Sequence, residues 1–401
     1  MTSIYLHIPF CEAKCVYCDF NSYAGLESLF EGFVDALCAD ITRGPEREAL
    51  ARLAPDPAGA AEGAEVGRIE TVFLGGGTPS VLPPAAIGRI LDTVAGHYDL
   101  AADAEISMEA NPGTISEAGF RGYLAAGVNR LSMGVQSFND AQLRAIGRIH
   151  TAAEAVEAYE LARKAGFENI NLDFIFGLPD QDLADWRDTL ARAADLGTDH
   201  LSCYSLIVEE HTPLWLRVEQ GQVVVPGEDE VADMYEVCRA TLDEAGYEQY
   251  EISNWCRPGR ECRHNLVYWR DMPYLGFGPG AHGYLGGRRY WTTLSPKKYI
   301  AAIRDGGSAV AGAEWIDREL EMGEYMMLGL RTLAGVAPSA FARRFGEPFD
   351  AVYGTVADQL RVWGLLDVEP AQDVVRLTGR GLLLGNEVFA RFLPDRPLAT
   401  E

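Results

Sequence analysis

Long apolar runs and an excess of positive charge are both missing from this sequence. No stretch of about 18 or more uninterrupted apolar residues occurs, so the sequence predicts neither a membrane-spanning helix nor a secretory signal. Lys and Arg total 34 against 59 Asp and Glu, and the resulting net charge of -25 would repel a phosphate backbone. We therefore expect a cytoplasmic protein without a transmembrane segment that does not bind nucleic acid.

A disulfide framework is also missing, although the chain contains eight cysteines. Three of them, Cys11, Cys15 and Cys18, lie close together, and the other five are scattered. In a chain without a secretory signal, such clustering favours metal binding or redox chemistry over disulfides. The cysteines Cys38, Cys238, Cys256 and Cys262 are interpreted as structural.

The three clustered cysteines have the spacing Cys-x3-Cys-x2-Cys. Three thiolates can hold three irons of a [4Fe-4S] cluster, whereas an electron-transfer cluster of this type takes four cysteines. One iron would therefore stay open to the amino and carboxylate groups of S-adenosylmethionine (AdoMet), and Tyr17 could cover the adenine. The alternative is a structural zinc site with His7 as the fourth ligand, but zinc usually draws two-residue spacings.

Short apolar runs alternate with helix-like segments in the first half of the chain. This alternation indicates an α/β fold with a parallel sheet, and six units predict a partial (β/α)6 barrel. The expected strands lie near residues 4–8, 71–74, 105–108, 130–135, 170–175 and 200–206.

Two regions depart from the alternation. Residues 44–67 are rich in Ala, Pro, Gly and Glu and are interpreted as an exposed insertion or flexible loop. The end of the chain predicts a small helical, winged-helix-like domain whose acidic character favours packing or docking over DNA binding. We expect a barrel over residues 1–245, a capping segment over 246–312 and the small domain over 313–401.

Polar residues at the ends of the expected strands form a candidate AdoMet site. Gly75-Gly76-Gly77-Thr78-Pro79 would let the backbone approach a ligand closely. Arg148 could bind the AdoMet carboxylate through two hydrogen bonds. Because parallel strands aim their loops at one rim, the side chains that end or lie inside the next three strands should meet there: these are Glu109, Gln136 and Asp173.

Five stretches resemble the oxygen-independent coproporphyrinogen III dehydrogenase family of radical AdoMet proteins, in both order and spacing. They are residues 5–18, 75–79, 106–112, 130–137 and 171–179. The resemblance runs over most of the chain and implies that the three cysteines bind the cluster. It also implies a set of AdoMet contacts: Tyr5, Gly76, Gly77, Thr78, Glu109, Gln136, Arg148, Asp173 and Ile207.

Two features separate this sequence from the dehydrogenase itself. The dehydrogenase carries a further cysteine two places after the last cluster cysteine, where this chain has Phe20, and it has an N-terminal extension before the tyrosine. The chain instead resembles the radical AdoMet heme chaperone branch, whose His-Asn-x-x-Tyr-Trp motif begins here at His264. The resemblance implies heme binding with His264 as an axial ligand, and His282 is the second candidate.

The expected function is that of a heme chaperone that uses a [4Fe-4S] cluster and AdoMet and passes heme to a respiratory acceptor at the membrane surface. The alternative is a radical decarboxylase that converts coproporphyrinogen III to protoporphyrinogen IX. The sequence leaves open whether AdoMet is cleaved and whether the chain forms a homodimer.

Overall fold

The computed structural model describes residues 2–44, 47–56 and 66–394. Contacts divide the chain into two compact units. The first comprises Met1–Glu248, Trp255–His264 and Pro273–Trp315, and the second comprises Gln249–Asn254, Asn265–Met272 and Ile316–Glu401. The expected three-part division stays a prediction.

The strands, in chain order, are β1 (Thr2–Ile8), β2 (Phe10–Cys11), β3 (Tyr23–Ala24), β4 (Ile69–Gly76), β5 (Leu100–Ala110), β6 (Arg130–Gln136), β7 (Ile170–Phe176), β8 (His200–Ser205), β9 (Glu248–Glu251), β10 (Asn254–Cys256), β11 (Tyr274–Phe277), β12 (His282–Leu285), β13 (Arg288–Thr292), β14 (Val310–Trp315), β15 (Leu366–Glu369) and β16 (Val374–Leu377).

The helices are α1 (Phe30–Arg43), α2 (Arg47–Leu53), α3 (Pro84–His97), α4 (Glu117–Ala125), α5 (Asp140–Ala145), α6 (Ala152–Ala165), α7 (Leu183–Asp195), α8 (Pro213–Glu219), α9 (Glu228–Glu244), α10 (Arg263–Trp269), α11 (Pro296–Arg304), α12 (Arg318–Gly329), α13 (Pro338–Phe345), α14 (Phe349–Val362), α15 (Gly379–Leu383) and α16 (Gly385–Ala390).

The first unit is built on one large sheet. Its strand order is β14-β13-β12-β11-β1-β4-β5-β6-β7-β8-β10, and the six neighbours from β1 to β8 run parallel. These are the six predicted strands, so the α/β fold with a partial (β/α)6 barrel is confirmed. Beyond β1, the sheet continues with parallel β11 and then antiparallel β12, β13 and β14.

Local sequence explains why the helices begin, end and pack where they do. In α3, the apolar residues Ile87, Ile90, Leu91 and Val94 recur every three or four positions and form the buried face. Thr151 and Glu154 form a capping box at the start of α6. A connection after each parallel strand returns the chain to the opposite end of the sheet. The carboxyl ends of these strands therefore share one rim.

The region 44–67 is not a loop throughout. Residues 47–53 form α2, so the expectation of an irregular segment is wrong there. The run Arg-Glu-Ala-Leu-Ala-Arg-Leu consists of strong helix formers, and the flanking Pro and Gly residues obscured it in the sequence. Residues 45–46 and 57–65 lie outside the described part of the chain.

The second unit is mainly helical. Helices α12, α13 and α14 are followed by the antiparallel pair β15 and β16, and α15 and α16 complete it. This confirms the small C-terminal domain with a two-stranded wing. None of the helices that the structure describes combines the length and apolar character needed to cross a membrane.

Candidate functional site: a cysteine loop at the barrel rim

The three clustered cysteines lie on a loop that leaves the rim of the barrel after β1. Cys11 ends β2, and Cys15 and Cys18 follow before β3. The Val16 N–H donates to the Ile146 carbonyl at 3.2 Å, and the Leu214 N–H donates to the Val16 carbonyl at 2.9 Å. The loop is thus held between the residue that follows α5 and the start of α8, and both of these segments follow strands that end at this rim.

Each of the three sulfurs has a polar neighbour. The Thr78 hydroxyl donates to Cys11 Sγ at 3.5 Å, and the Arg148 guanidinium donates to Cys15 Sγ at 3.5 Å. Cys18 Sγ lies 3.8 Å from the Ser22 hydroxyl, and burial raises the pKa of the Cys18 thiol. Hydrogen-bond donors beside sulfur would stabilise thiolates that are bound to iron.

The arrangement of the thiols differs from that of a single-ion site. Among the described residues, no three Cys, His, Asp or Glu side chains converge closely enough to hold one metal ion. A zinc site needs such convergence, whereas a cubane cluster takes each thiolate at a different iron. The three thiols, each beside a polar group, fit a cubane that takes one thiolate at each of three irons.

The glycine turn at the end of β4 forms a cradle, by which we mean backbone packed so closely against its neighbours that a Cβ atom would not fit. A Cβ on Gly77 would lie 2.5 Å from the Phe10 carbonyl oxygen, and a Cβ on Gly76 would lie 2.5 Å from the His7 ring. Gly76 also has a φ of 109°, which favours glycine. The Gly76 N–H donates to Glu109 Oε2 at 3.0 Å, which connects this turn to the end of β5.

Glu109 and Asp173 form a pair of partly buried carboxyl groups. Burial, reinforced by the charge of Asp173, raises the pKa of Glu109 to about 8. Burial also raises the pKa of Asp173, although Asn171 and Ser132 donate to its carboxylate at 2.7 Å and 3.1 Å. Buried acidic groups with few cationic partners suit a positively charged ligand, because such a ligand would offset their desolvation.

Arg148 joins the cysteine loop to β5 and β6. Its Nη2 donates to Asn111 Oδ1 at 2.7 Å and to the Gly134 carbonyl at 2.6 Å. Its Nε is buried and has no hydrogen-bond partner in the described part of the chain. This unused donor fits the carboxylate of a bound AdoMet. Gln136 ends β6 with a φ of 69°, a conformation that non-glycine residues rarely adopt.

Tyr5, Tyr17 and Ile207 complete the predicted AdoMet contacts. The Tyr5 hydroxyl donates to His7 Nδ1 at 3.1 Å, while His7 Nε2 donates to the Asn21 carbonyl at 2.9 Å. Tyr17 packs against a buried apolar cluster: Ile146, Ile175 and Leu178, with Leu206 beside it. Ile207 is exposed on the loop after β8. Tyr5 and Asp173 lie inside β1 and β7, whereas Gly76 and Gln136 end β4 and β6.

The Phe73 ring lies between His264 and Tyr5 and stacks on both. The His264 ring is 1% exposed, its Nδ1 is 2.6 Å from the Thr71 hydroxyl, and it stacks on Phe73 with 5.1 Å between ring centroids. Burial, together with the charge of Arg130, lowers the pKa of His264 to about 3, so the imidazole is neutral. Its role as an axial heme ligand stays a prediction, and it requires the ring to leave this buried position.

Several residues of the site were not predicted from the sequence. Asn111 accepts a hydrogen bond from Arg148. Ser132 and Asn171 both donate to the Asp173 carboxylate. Asn111 could have been found, because it directly follows the strand that carries Glu109. Asn21 could not, because its contacts with the Pro279 and Leu294 carbonyls join positions far apart in the chain.

The chain matches two family models. The radical SAM superfamily model covers residues 5–193, and the HemN C-terminal domain model covers residues 316–384. The coproporphyrinogen III oxidase HemN from Escherichia coli, a radical SAM enzyme, has a similar solved structure with a TM-score of 0.79 and 25% identity. The match covers 98% of this chain and 89% of that chain.

Two curated relatives share more of the sequence. The heme chaperone HemW of Bacillus subtilis is 38% identical over 98% of this chain and 100% of its own length. The heme chaperone HemW of Escherichia coli is 44% identical over 70% of this chain and 69% of its own length. With similarity at this level along nearly its whole length, the chain belongs to the HemW family within the radical SAM superfamily.

Proposed function

We propose that this chain is a heme chaperone that holds a [4Fe-4S] cluster and AdoMet at the barrel rim and passes heme to a respiratory acceptor at the membrane surface. The observation that carries the proposal is the 38% identity to the heme chaperone HemW of Bacillus subtilis, which extends over that protein's full length. A cytoplasmic location accords with this function.

The residues at the rim have chemistry suited to the two cofactors. Cys11, Cys15 and Cys18 would bind the cluster, and Arg148 would bind the AdoMet carboxylate through its unpartnered Nε. The positive charge of AdoMet would favour the ionised forms of Glu109 and Asp173, and these carboxylates would then pair with it. When bound, the two groups would supply one-electron chemistry at the AdoMet sulfonium, and the chain's role is to place and shield them.

The first experiment tests the cluster. Anaerobic reconstitution with iron and sulfide should give about four irons per chain, and the spectrum should change when AdoMet is added. The triple variant with Ser at Cys11, Cys15 and Cys18 should bind no cluster. Cys38→Ser is the matched control, because Cys38 lies in α1 outside the site and should leave the iron content unchanged. Stoichiometric zinc in the protected wild type would contradict the proposal.

The second experiment separates the chaperone from the alternative enzyme. The similarity to HemN keeps coproporphyrinogen III dehydrogenase activity as a second candidate. Reconstituted protein with AdoMet and a reductant should bind hemin and should not decarboxylate coproporphyrinogen III. Sustained conversion to protoporphyrinogen IX would favour the enzyme.

Heme delivery is tested by transfer. Protein loaded with hemin and mixed with membranes that contain a heme-free respiratory protein should lose its heme absorbance as the acceptor gains it. Heme-free chaperone and bovine serum albumin loaded with hemin serve as controls. Equal transfer from albumin would show that the chain contributes nothing specific to delivery.

A further inference from the structure

Exposed large apolar side chains concentrate around the cysteine loop. In the described part of the chain, 12 such side chains are exposed, and six of them lie in the cysteine loop or close to segments that contact it. Ile207 is one of these and is already a predicted AdoMet contact. The other five have no role in the site described above: they are Phe20, Ile149, Tyr204, Leu216 and Leu294.

Hydrogen bonds and packing contacts place these five residues around one loop. Phe20 is 71% exposed and belongs to the cysteine loop itself. Ile149 follows Arg148, which contacts Cys15. The Leu294 carbonyl accepts from Asn21 Nδ2 at 3.0 Å. The remaining two lie at the end of β8 and in α8, next to elements that touch the loop through Leu206 and Leu214.

An accessible imidazole lies on the same side. His211 is exposed in the connection between β8 and α8, and its ring meets Trp215 edge to face with 5.9 Å between centroids. Its φ of 68° lies in the left-handed region, where a residue other than glycine costs about 1 kcal/mol or more.

A positive charge lies beside the Phe20 backbone. Lys14 is exposed, and its Nζ donates to the Phe20 carbonyl at 3.2 Å. The combination of an apolar surface, an imidazole and an ammonium group matches the three chemical parts of heme. These parts are a flat apolar macrocycle, an iron that accepts nitrogen ligands and two anionic propionates.

We propose that heme binds on this rim face, which we define as Phe20, Ile149, Tyr204, His211, Leu216 and Leu294, with His211 as the iron ligand. The inference rests on the proposed heme-chaperone function and names where the heme binds. It differs from ligation by His264, whose ring is buried and bonded to Thr71. A ring nitrogen of His211 would donate its lone pair to the iron, so ligation needs no redox step.

The test is a hemin titration of the full-length reconstituted protein, followed by difference absorbance and tryptophan fluorescence. His211→Ala should shift the Soret band and weaken hemin binding by about tenfold or more. Phe20→Ser should weaken binding by several-fold without changing the band position, because it removes contact area and leaves the ligand in place.

Matched controls come from exposed positions elsewhere. His97→Ala removes an exposed imidazole from α3, and Val362→Ser removes an exposed apolar side chain at the end of α14. Neither should alter hemin binding. Circular dichroism and the iron content of each variant establish that fold and cluster are intact.

The outcomes distinguish this inference from the proposed function. A wild type that binds no hemin would overturn both. A wild type that binds hemin, with His264→Ala losing the Soret band while His211→Ala and Phe20→Ser match the wild type, would overturn only the rim face. If Phe20→Ser changed the oligomeric state and left hemin affinity unchanged, the face would bind a second copy of the chain instead.

Discussion

Glu109 is a carboxyl group that the fold partly shields from water, and this makes the stability of the chain depend on pH. Burial raises its pKa to about 8 in the folded chain, against an ordinary value of 4.5. Between these values the folded chain keeps a proton that the unfolded chain has lost. The stabilising contribution is complete below about pH 4.5 and is lost as the pH rises through about 8.

We therefore expect Glu109→Gln to flatten the pH dependence of the unfolding free energy between about pH 5 and 8. Within that window the wild type should lose on the order of 1 kcal/mol per pH unit relative to the variant. Urea unfolding of the cluster-free protein at several pH values measures this. Glu27→Gln, at an exposed carboxyl group, is the control. Parallel curves for the wild type and Glu109→Gln would contradict the prediction.

His264 has a structural role that can be measured apart from any heme. His264→Ala would remove the 2.6 Å contact with Thr71 and the stacking on Phe73 and would leave a cavity. We expect a loss of about 2–4 kcal/mol in the free energy of unfolding. His97→Ala, at an exposed position in α3, should cost less than about 0.5 kcal/mol. Equal effects of the two substitutions in urea unfolding would refute this role.

The strands of the barrel were predictable because their burial leaves a direct pattern in the sequence. β7, for example, is a short apolar run in which only Asp173 is polar and incompletely buried, and this marked both the strand and the site. The location of Glu109, Gln136 and Asp173 at one rim also followed from sequence, since parallel strands end on the same side.

Other elements could not be predicted, because their structure depends on distant contacts. β11 has four residues, and a Cβ on its Gly276 would lie 1.8 Å from the His282 carbonyl oxygen of β12. That close approach is invisible in a sequence pattern. The burial of His264 likewise depends on how the start of α10 packs on β4 and β5, where Glu105 accepts from the His264 N–H at 3.0 Å.

The glycine turn at the end of β4 is an element that has no room for side chains. Gly77→Ala would place a Cβ 2.5 Å from the Phe10 carbonyl oxygen, next to Cys11. We expect this variant to lose most of its cluster on reconstitution, because the turn and the cysteine loop must move apart. Gly96→Ala in α3 meets no atom within 4 Å and should keep full iron content. Iron and sulfide analysis of both variants measures the difference, and a fully loaded Gly77→Ala would exclude the cradle.

The charge of the whole molecule opposes the ligand that we propose for it. The chain carries a net charge of -25, and hemin brings two propionates, so the two repel each other at long range. Added salt screens this repulsion, with a Debye length of about 10 Å at 0.1 M. A chaperone of this charge would therefore take up heme by contact with its apolar surface rather than by electrostatic attraction.

We expect the association rate of hemin to rise as the ionic strength increases from about 0.02 to 0.3 M, measured by stopped-flow quenching of tryptophan fluorescence. Lys14→Gln should slow association, because it removes a positive charge beside Phe20 and leaves the surrounding acidic field uncompensated. Lys297→Gln, an exposed position in α11, should have no such effect. A rate that falls with added salt would mean that positive side chains near the rim face outweigh the negative charge of the whole chain. Heme uptake would then be steered electrostatically.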